Sequence, residues 1–373
     1  MRPLLFNTLT ATLLALSWAG CKNDAPAVPA EAAAAELPLL APGQHIGMIT
    51  GFNPAHPPAT ADSITARWQE ALSAGMRTGR LQIDWPELEP AAGQYDEATL
   101  RNALQRLSAQ GLQPFLTLPA YDSDGPLLPD YLQGRSLDEA EVIARFEALM
   151  DWVIPMLLEE GGWGISIANE PDNFFAERPE LAGQIRSFLA ESRTHIHKLS
   201  PEVAVTVTLN VGNMPASQAQ MELLRPEMDI ACFNLYGSGL FPIDQPYTAA
   251  EIEAEIRAVL DFAEDRAVVI QELGMHSNSD LLNSSEAIQA AFFDTFFNRM
   301  QAEPQIRAAF IFQLVDWSPE AIAVLNTTWE ETTPEEFIEQ YGAVLAAIGL
   351  IGYEEGQRKA AWGRVLFWLG ELQ

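Results

Sequence analysis

Along most of the chain, short apolar or β-branched runs alternate with longer amphipathic stretches. The runs are His45–Thr50, Gly79–Trp85, Gln113–Leu118, Ile165–Glu170, Val203–Leu209, Asp229–Tyr236, Ala267–Glu272 and Ala308–Trp317. Most are continuously apolar, as expected of parallel strands buried on both faces. Successive runs begin 26 to 52 residues apart, room for one helix and two loops each. Helix-end chemistry fills the intervals. Asp62 is placed to cap a helix stopping near Gly75, and Asp96 one stopping near Gly111. Ser136 with Glu139, and Thr248 with Glu251, have capping-box spacing. Pro155 predicts a bend or an end in the third helix, and Pro179 marks the first turn of the fourth. Pro334–Ala347 and Gln357–Leu369 read as closing helices. Eight βα units imply an α/β protein whose parallel sheet closes into a (β/α)8 TIM barrel, a single domain over residues 42–373. A doubly wound open sheet is the alternative, but the sequence lacks the glycine-rich phosphate loop it would want. The long interval between the third and fourth runs has room for a small subdomain.

Composition adds bounds. Of 373 residues, 48% are hydrophobic and 19% charged, which supports a packed core. Acidic residues number 51 against 21 basic ones, a net charge of −30, so a phosphate polyanion would be repelled and no nucleic-acid partner is expected. Met1–Gly20 reads as a signal peptide: Arg2, a short apolar stretch over Ala11–Trp18, then the small pair Ala19-Gly20. Cys21 follows directly, and the segment resembles a bacterial lipoprotein signal. That resemblance implies a lipidated Cys21, followed through residue 41 by an Ala/Pro/Glu-rich tether. The expectation is an exported protein held in the cell envelope through a lipid on Cys21. Lys22 after the cysteine favours the outer membrane or surface. Two cysteines exclude a disulfide scaffold, and Cys232, inside an apolar run, is expected to be a buried, inert thiol. A monomer is expected.

In a barrel of this kind the chemistry sits at the C-terminal ends of the strands. The fourth run ends Asn169-Glu170-Pro171 and the seventh ends Gln271-Glu272-Leu273-Gly274. Each places a carboxylate at the mouth directly after an apolar run. One such glutamate is readily explained as a helix cap or a partner for a surface base. Two, on roughly opposite sides of one mouth with aromatic residues at other strand ends, suit glycoside cleavage, in which one carboxyl donates a proton and the other attacks or positions water.

Further segments carry a family resemblance. Gly79–Pro90 followed by Gly93-Gln94-Tyr95-Asp96, Asn169-Glu170-Pro171, Asn234-Leu235-Tyr236-Gly237, Glu272-Leu273-Gly274, and Gly349-Leu350 with Gly356, Lys359, Ala361 and Trp362 together resemble a clan-A glycoside hydrolase, cellulase-like (family 5 type) or of a neighbouring family. The resemblance implies Glu170 as general acid/base and Glu272 as nucleophile, with retention of configuration. It implies that Asn169 bonds the sugar 2-hydroxyl, Tyr236 donates to Glu272, and Arg80 lies beneath Glu272 and keeps it charged.

Aromatic residues at the mouth would supply sugar platforms. Trp317 is the expected platform nearest the scissile bond, with Trp85, Tyr121, Phe174 and Phe175 as further candidates. Trp68, Trp152, Trp362 and Trp368 fall on helix patterns and read as core. His56 and His276 follow the first and seventh strands and are candidates to touch substrate. His195 and His197, two apart on a helix, face different ways and would share no metal. The sequence carries no metal-ligand cluster and no cofactor motif, so none is expected. The function expected is a retaining β-glycosidase acting on a β-linked poly- or oligosaccharide. The alternatives are a non-catalytic glycan-binding lipoprotein on the same scaffold, or a transglycosylase using the same two glutamates.

Overall fold

Eight parallel strands close into one barrel: β1 (His45–Thr50), β2 (Thr78–Gln82), β3 (Gln113–Thr117), β4 (Gly164–Asn169), β5 (Ala204–Asn210), β6 (Ala231–Tyr236), β7 (Val268–Gly274) and β8 (Ile306–Ile311), with β1 paired to both β2 and β8. The computed structural model describes residues 37–50, 61–239, 243, 245–329, 334–354 and 356–372. The expected signal peptide, Cys21, the tether up to residue 36 and His56 lie outside the described residues.

Helices follow the strands: α1 (Ala61–Ala74), α2 (Glu97–Ser108), α3 (Ala140–Glu159), α4 (Glu180–Leu199), α5 (Met214–Leu224), α6 (Ala249–Ala263) and α7 (Glu286–Ala302). After β8 come α8 (Pro319–Trp329), α9 (Glu335–Leu345) and α10 (Ala360–Glu371). The strands form where apolar runs can be covered on both sides, by helices outside and by barrel filling inside. Helix α2 illustrates the outer layer. Asp96 caps it by accepting from the Thr99 backbone N–H at 3.1 Å, and Leu100, Ala103, Leu104 and Leu107 form its buried stripe. Each such leucine contributes about 1.5–3 kcal/mol by leaving water.

Inside the barrel the period-two alternation stacks side chains in layers. Phe115 stacks on Phe310 at 5.8 Å and tilts against Trp163 at 4.7 Å, filling the lower end. Gly47 is required there, since a Cβ on it would lie 2.6 Å from the Phe310 ring and 2.7 Å from the Thr78 carbonyl oxygen. Above this plug the inward residues turn polar: Arg80, Thr117, Ser166, Thr208 and Gln271 are all buried. They form the floor of the site.

Several expectations need correction. The second strand stops at Gln82, because Asp84 begins a short helical turn over Trp85–Leu88. Asp62 lies within the first turn of α1 rather than capping it from outside. Glu139 does reach back to the Ser136 N–H (2.8 Å), but the Ser136 hydroxyl bonds Asp138, so only half of that box forms. The Thr248–Glu251 box is complete. Pro155 does not end α3, which runs on to Glu159. Buried Val153, Ile154, Met156 and Leu157 around it offset a proline penalty of about 3 kcal/mol. Between β3 and β4 there is a two-residue ladder, Tyr121–Asp122 against Gly125–Pro126, and no subdomain. Helix α8 was not foreseen.

Candidate active site

Both glutamates at the mouth are aimed by irregularities in their strands. In a regular strand only one of two neighbours faces inward. On β7, Phe233 of β6 pairs with Ile270 and the next residue, Asn234, with Glu272, which marks a bulge. Gln271 and Glu272 therefore both turn into the barrel. Gln271 bonds Thr117, Thr208 and Asn169, while Glu272 bonds Arg80 and Tyr236. On β4 the pairing with β5 also shifts between Ser166 and Asn169. Glu170 then adopts a left-handed backbone (φ 48°, ψ 39°), a conformation that costs about 1–3 kcal/mol for a non-glycine residue. Its own backbone N–H still bonds the Thr208 carbonyl at 2.8 Å.

The two carboxylates are held differently. Glu272 receives the Arg80 guanidinium on Oε1 at 3.1 Å and the Tyr236 hydroxyl on Oε2. Arg80 is only 1% exposed and is fixed by Thr117 (2.9 Å) and Gln82 (2.7 Å). Among the described residues no cation bonds Glu170. Its Oε1 accepts from the side-chain amides of Asn210 and Asn234, both at 2.8 Å. Asn173 reaches Oε2 at 3.4 Å.

Burial raises the proton affinity of both groups, and at Glu272 the Arg80 charge and the Tyr236 hydroxyl oppose it. At Glu170 burial dominates and the charges of Glu272 and Asp172 add to it, so its carboxyl is pushed up to about 8. Glu170, raised to about 8, is therefore the carboxyl of the two that holds a proton at neutral pH. With Oε1 taken by two amide donors, the proton belongs on Oε2.

Asn169 lies between them. Its Nδ2 donates to Asp122 Oδ1 at 2.7 Å, and its Oδ1 accepts from Gln271 (2.9 Å) and Asn234 (3.2 Å). Asp122 also accepts from Gln82 at 2.8 Å. Asp172, next to Glu170, is buried and pushed up to about 7, and it accepts from the Asn210 backbone and from Asn213 (2.8 Å). It braces the loop that carries Glu170.

The structure therefore gathers Arg80, Asn169, Glu170, Tyr236 and Glu272 in one place. Trp317 follows β8 at the wall of the mouth, 9% exposed, in a cluster with Phe312, Val344 and Leu345. Trp85 does not belong to the site. It is fully buried against Phe146 at 5.0 Å, and its Nε1–H bonds Glu89 at 2.9 Å. The strand ends three residues before it, so it turns outward into the helix layer. His276 follows β7 by two residues and is buried. It is 1% exposed, and burial together with the Lys359 charge pulls its imidazole down to about 4. Tyr121 and Phe175 are buried, and Phe174 packs edge-on to Tyr121 at 5.7 Å.

Elsewhere, His195 bonds Asp151 and His197 bonds Asp229. Cys232 is buried and its thiol is pushed up to about 12, far from nucleophilic. Trp362 and Trp368 are buried, and Trp152 stacks on Tyr95 at 5.1 Å.

Sequence reasoning missed Asn210, Asn234 and Tyr341. Asn210 directly follows an apolar run and was open to the same strand-end argument that found the glutamates, whereas Asn234 lies inside its run, two residues before the end. Tyr341 had no such signal: it lies on α9, where burial first, and then the charges of Glu170, Glu272, Asp124 and Asp122, raise its phenol.

No protein-family profile and no curated protein sequence matches the chain. Solved structures do match in fold. One is a variant of GH5_18 from Bifidobacterium longum subsp. longum in complex with Manβ1-4GlcNAc. It is 14% identical, with 88% of this chain and 77% of that one covered and a TM-score of 0.62. Another is an exo-β-1,4-mannosidase from Opitutaceae bacterium strain TAV5, 18% identical, covering 88% of this chain but 60% of that one, TM-score 0.64. A third is a β-glucosidase in its apo form, 16% identical, covering 83% and 88%, TM-score 0.54. The likeness is one of barrel architecture over most of the chain.

Proposed function

We propose that the chain is a retaining β-glycoside hydrolase of the clan-A, family 5 type, acting on a β-linked poly- or oligosaccharide. One observation carries the reading: of the two carboxyls at the ends of β4 and β7, Glu272 is bonded by the Arg80 guanidinium, whereas among the described residues Glu170 is bonded by amides and by no cation. In the first step the Glu272 carboxylate attacks the anomeric carbon while the proton on Glu170 passes to the glycosidic oxygen, and the leaving group departs with it. A covalent glycosyl ester of Glu272 remains. Its formation removes the negative charge that had raised Glu170, so Glu170 becomes a base for the second step. It takes a proton from water as the water oxygen attacks the anomeric carbon, and Glu272 is released. Each carbon–oxygen exchange inverts, so the net outcome is retention.

Asn169 lies within reach of a sugar hydroxyl beside the reacting carbon, and Trp317 supplies the platform beneath the ring. The fold shared with mannosidase and glucosidase structures makes aryl β-mannosides and β-glucosides the first substrates to test. For the segment before the barrel, we propose export and a lipid on Cys21 that anchors the enzyme in the cell envelope.

The test is Glu170→Gln and Glu272→Gln on aryl β-glycosides. Both are expected to lose at least about 100-fold in kcat/KM, the lower end for removal of an acid–base group. Equal kcat/KM for the wild type and for Glu170→Gln on a substrate with an unactivated leaving group overturns the reading.

A further inference from the structure

Asp122 takes no part in the two displacements, yet it stands three hydrogen bonds from each glutamate. Its Oδ2 accepts from Gln82 Nε2 at 2.8 Å, Gln82 Oε1 accepts from Arg80 at 2.7 Å, and Arg80 bonds Glu272 at 3.1 Å. Its Oδ1 accepts from Asn169 Nδ2 at 2.7 Å, Asn169 Oδ1 accepts from Asn234 at 3.2 Å, and Asn234 bonds Glu170 at 2.8 Å. A tight hairpin after β3 delivers the carboxyl. The Leu118 and Ala120 N–H groups carry the pairing on along β4, to the Ser166 and Ile167 carbonyls at 2.8 and 2.9 Å. Tyr121–Asp122 then pairs with Gly125–Pro126, with Gly125 at φ 132°, a conformation that favours glycine. The Leu127 N–H returns to the Ala120 carbonyl at 3.0 Å. The carboxyl also accepts from the Ser123 N–H at 2.7 Å, which fixes its own orientation.

The effect on Asn169 follows from counting donors and acceptors. A side-chain amide has two N–H donors and one carbonyl oxygen with two lone pairs. Both lone pairs of Asn169 Oδ1 are taken, by Gln271 (2.9 Å) and Asn234 (3.2 Å). One Nδ2 hydrogen goes to Asp122. Among the described residues the other bonds nothing, so the amide has a single donor and no acceptor left for a ligand. Gln271 and Asn234 grip only the oxygen end. Among the described residues Asp122 alone holds the nitrogen end, through a carboxylate oxygen, which accepts and does not donate. Without that carboxyl the amide can swing about its pinned oxygen, and its remaining N–H no longer keeps one direction.

From these bonds we infer that Asp122 is a positioning residue for the sugar contact: it fixes the Asn169 amide so that one N–H, and never the carbonyl, faces the hydroxyl beside the reacting carbon. The site thereby selects sugars whose C2 substituent accepts a hydrogen bond. The inference rests on the glycosidase reading and on Asn169 as the residue that meets that hydroxyl. A contact to the 2-hydroxyl strengthens as the anomeric carbon gains positive charge, so misplacing Asn169 costs the transition state more than the bound sugar.

The experiment measures kcat and KM of the full chain on the aryl β-mannoside or β-glucoside it cleaves faster, and on the 2-deoxy sugar common to both. The proteins are the wild type, Asp122→Ala, Asp122→Asn, Asn169→Ala and the double variant Asp122→Ala/Asn169→Ala. Asp122→Asn keeps the shape of the side chain but sets an N–H against that of Gln82 or Asn169, so it tests the same loss with less disturbance to the hairpin. Both Asp122 variants are expected to lose about ten-fold more kcat on the 2-hydroxyl sugar than on the 2-deoxy sugar, the worth of one hydrogen bond. In the double variant the discrimination between the two sugars is expected to equal that of Asn169→Ala alone. Losses equal on the two sugars, or confined to KM, overturn the positioning role and leave the glycosidase reading intact. A further fall in discrimination in the double variant overturns it too, because Asp122 would then act other than through Asn169. A wild type that cleaves none of these sugars overturns both the inference and the reading beneath it.

Discussion

Replacing Tyr236 by Phe removes one hydroxyl and little else. The ring keeps its edge-on contact with Phe312 at 5.5 Å, and Arg80 keeps its bond to Glu272. What is lost is the phenol donor to Glu272 Oε2. A hydrogen bond to a charged group is worth about 1.5–3 kcal/mol. It stabilises the ionised form, so its loss raises the Glu272 proton affinity, and at about 1.4 kcal/mol per pH unit the change is about one to two units. Glu272 must be ionised to attack. The acid limb of the kcat/KM profile should therefore move up by about one to two pH units, and activity at mildly acidic pH should fall correspondingly. The alkaline limb reports loss of the Glu170 proton, which Tyr236 does not touch, and should stay near about pH 8. The assay is kcat/KM on an aryl β-glycoside from pH 4 to 9 for both proteins. An acid limb that stays in place, or moves down, refutes the reasoning that Tyr236 keeps Glu272 charged.

Three more predictions follow from packing and linkage. Trp85→Phe should lower the melting temperature by a few degrees, at a cost of about 1–3 kcal/mol, and leave KM unchanged; a shifted KM with an unchanged melt would return Trp85 to the sugar site. Gly47→Ala should cost about 1–3 kcal/mol or more through overpacking against Phe310, read by urea denaturation, whereas a neutral result would mean that the lower barrel plug has slack. Heat tolerance should be greatest near pH 5 and decline towards pH 8. Asp172 is raised to about 7, and Glu170 and Glu255 to about 8, so the folded chain holds protons that the unfolded chain releases near pH 4, and the stability this gives is lost as pH climbs through those folded values. A melting temperature that rises from pH 5 to 8 would contradict this.

The barrel was legible because strands buried on both faces must be written as apolar runs, and eight of these recur with helix-end chemistry between them. The acid pair was legible for a related reason: a glutamate directly after such a run has nowhere to go but the mouth. Legibility stopped where tertiary context decides. Apolar content extended the second run to Trp85, but the turn begun at Asp84 reverses which way that ring faces. The bulge that turns both Gln271 and Glu272 inward is a matter of pairing register, which period-two reading cannot supply. Pro155 is tolerated because of the burial around it.

The central claim is that Glu170 and Glu272 act together in two successive displacements. It is tested most directly by proton NMR of the sugar first released from an aryl β-glycoside, before mutarotation. The account requires the β-anomer to appear first and the α-anomer to grow in later. An α-anomer as the first product would mean a single displacement by water, and Glu272 would not be the nucleophile.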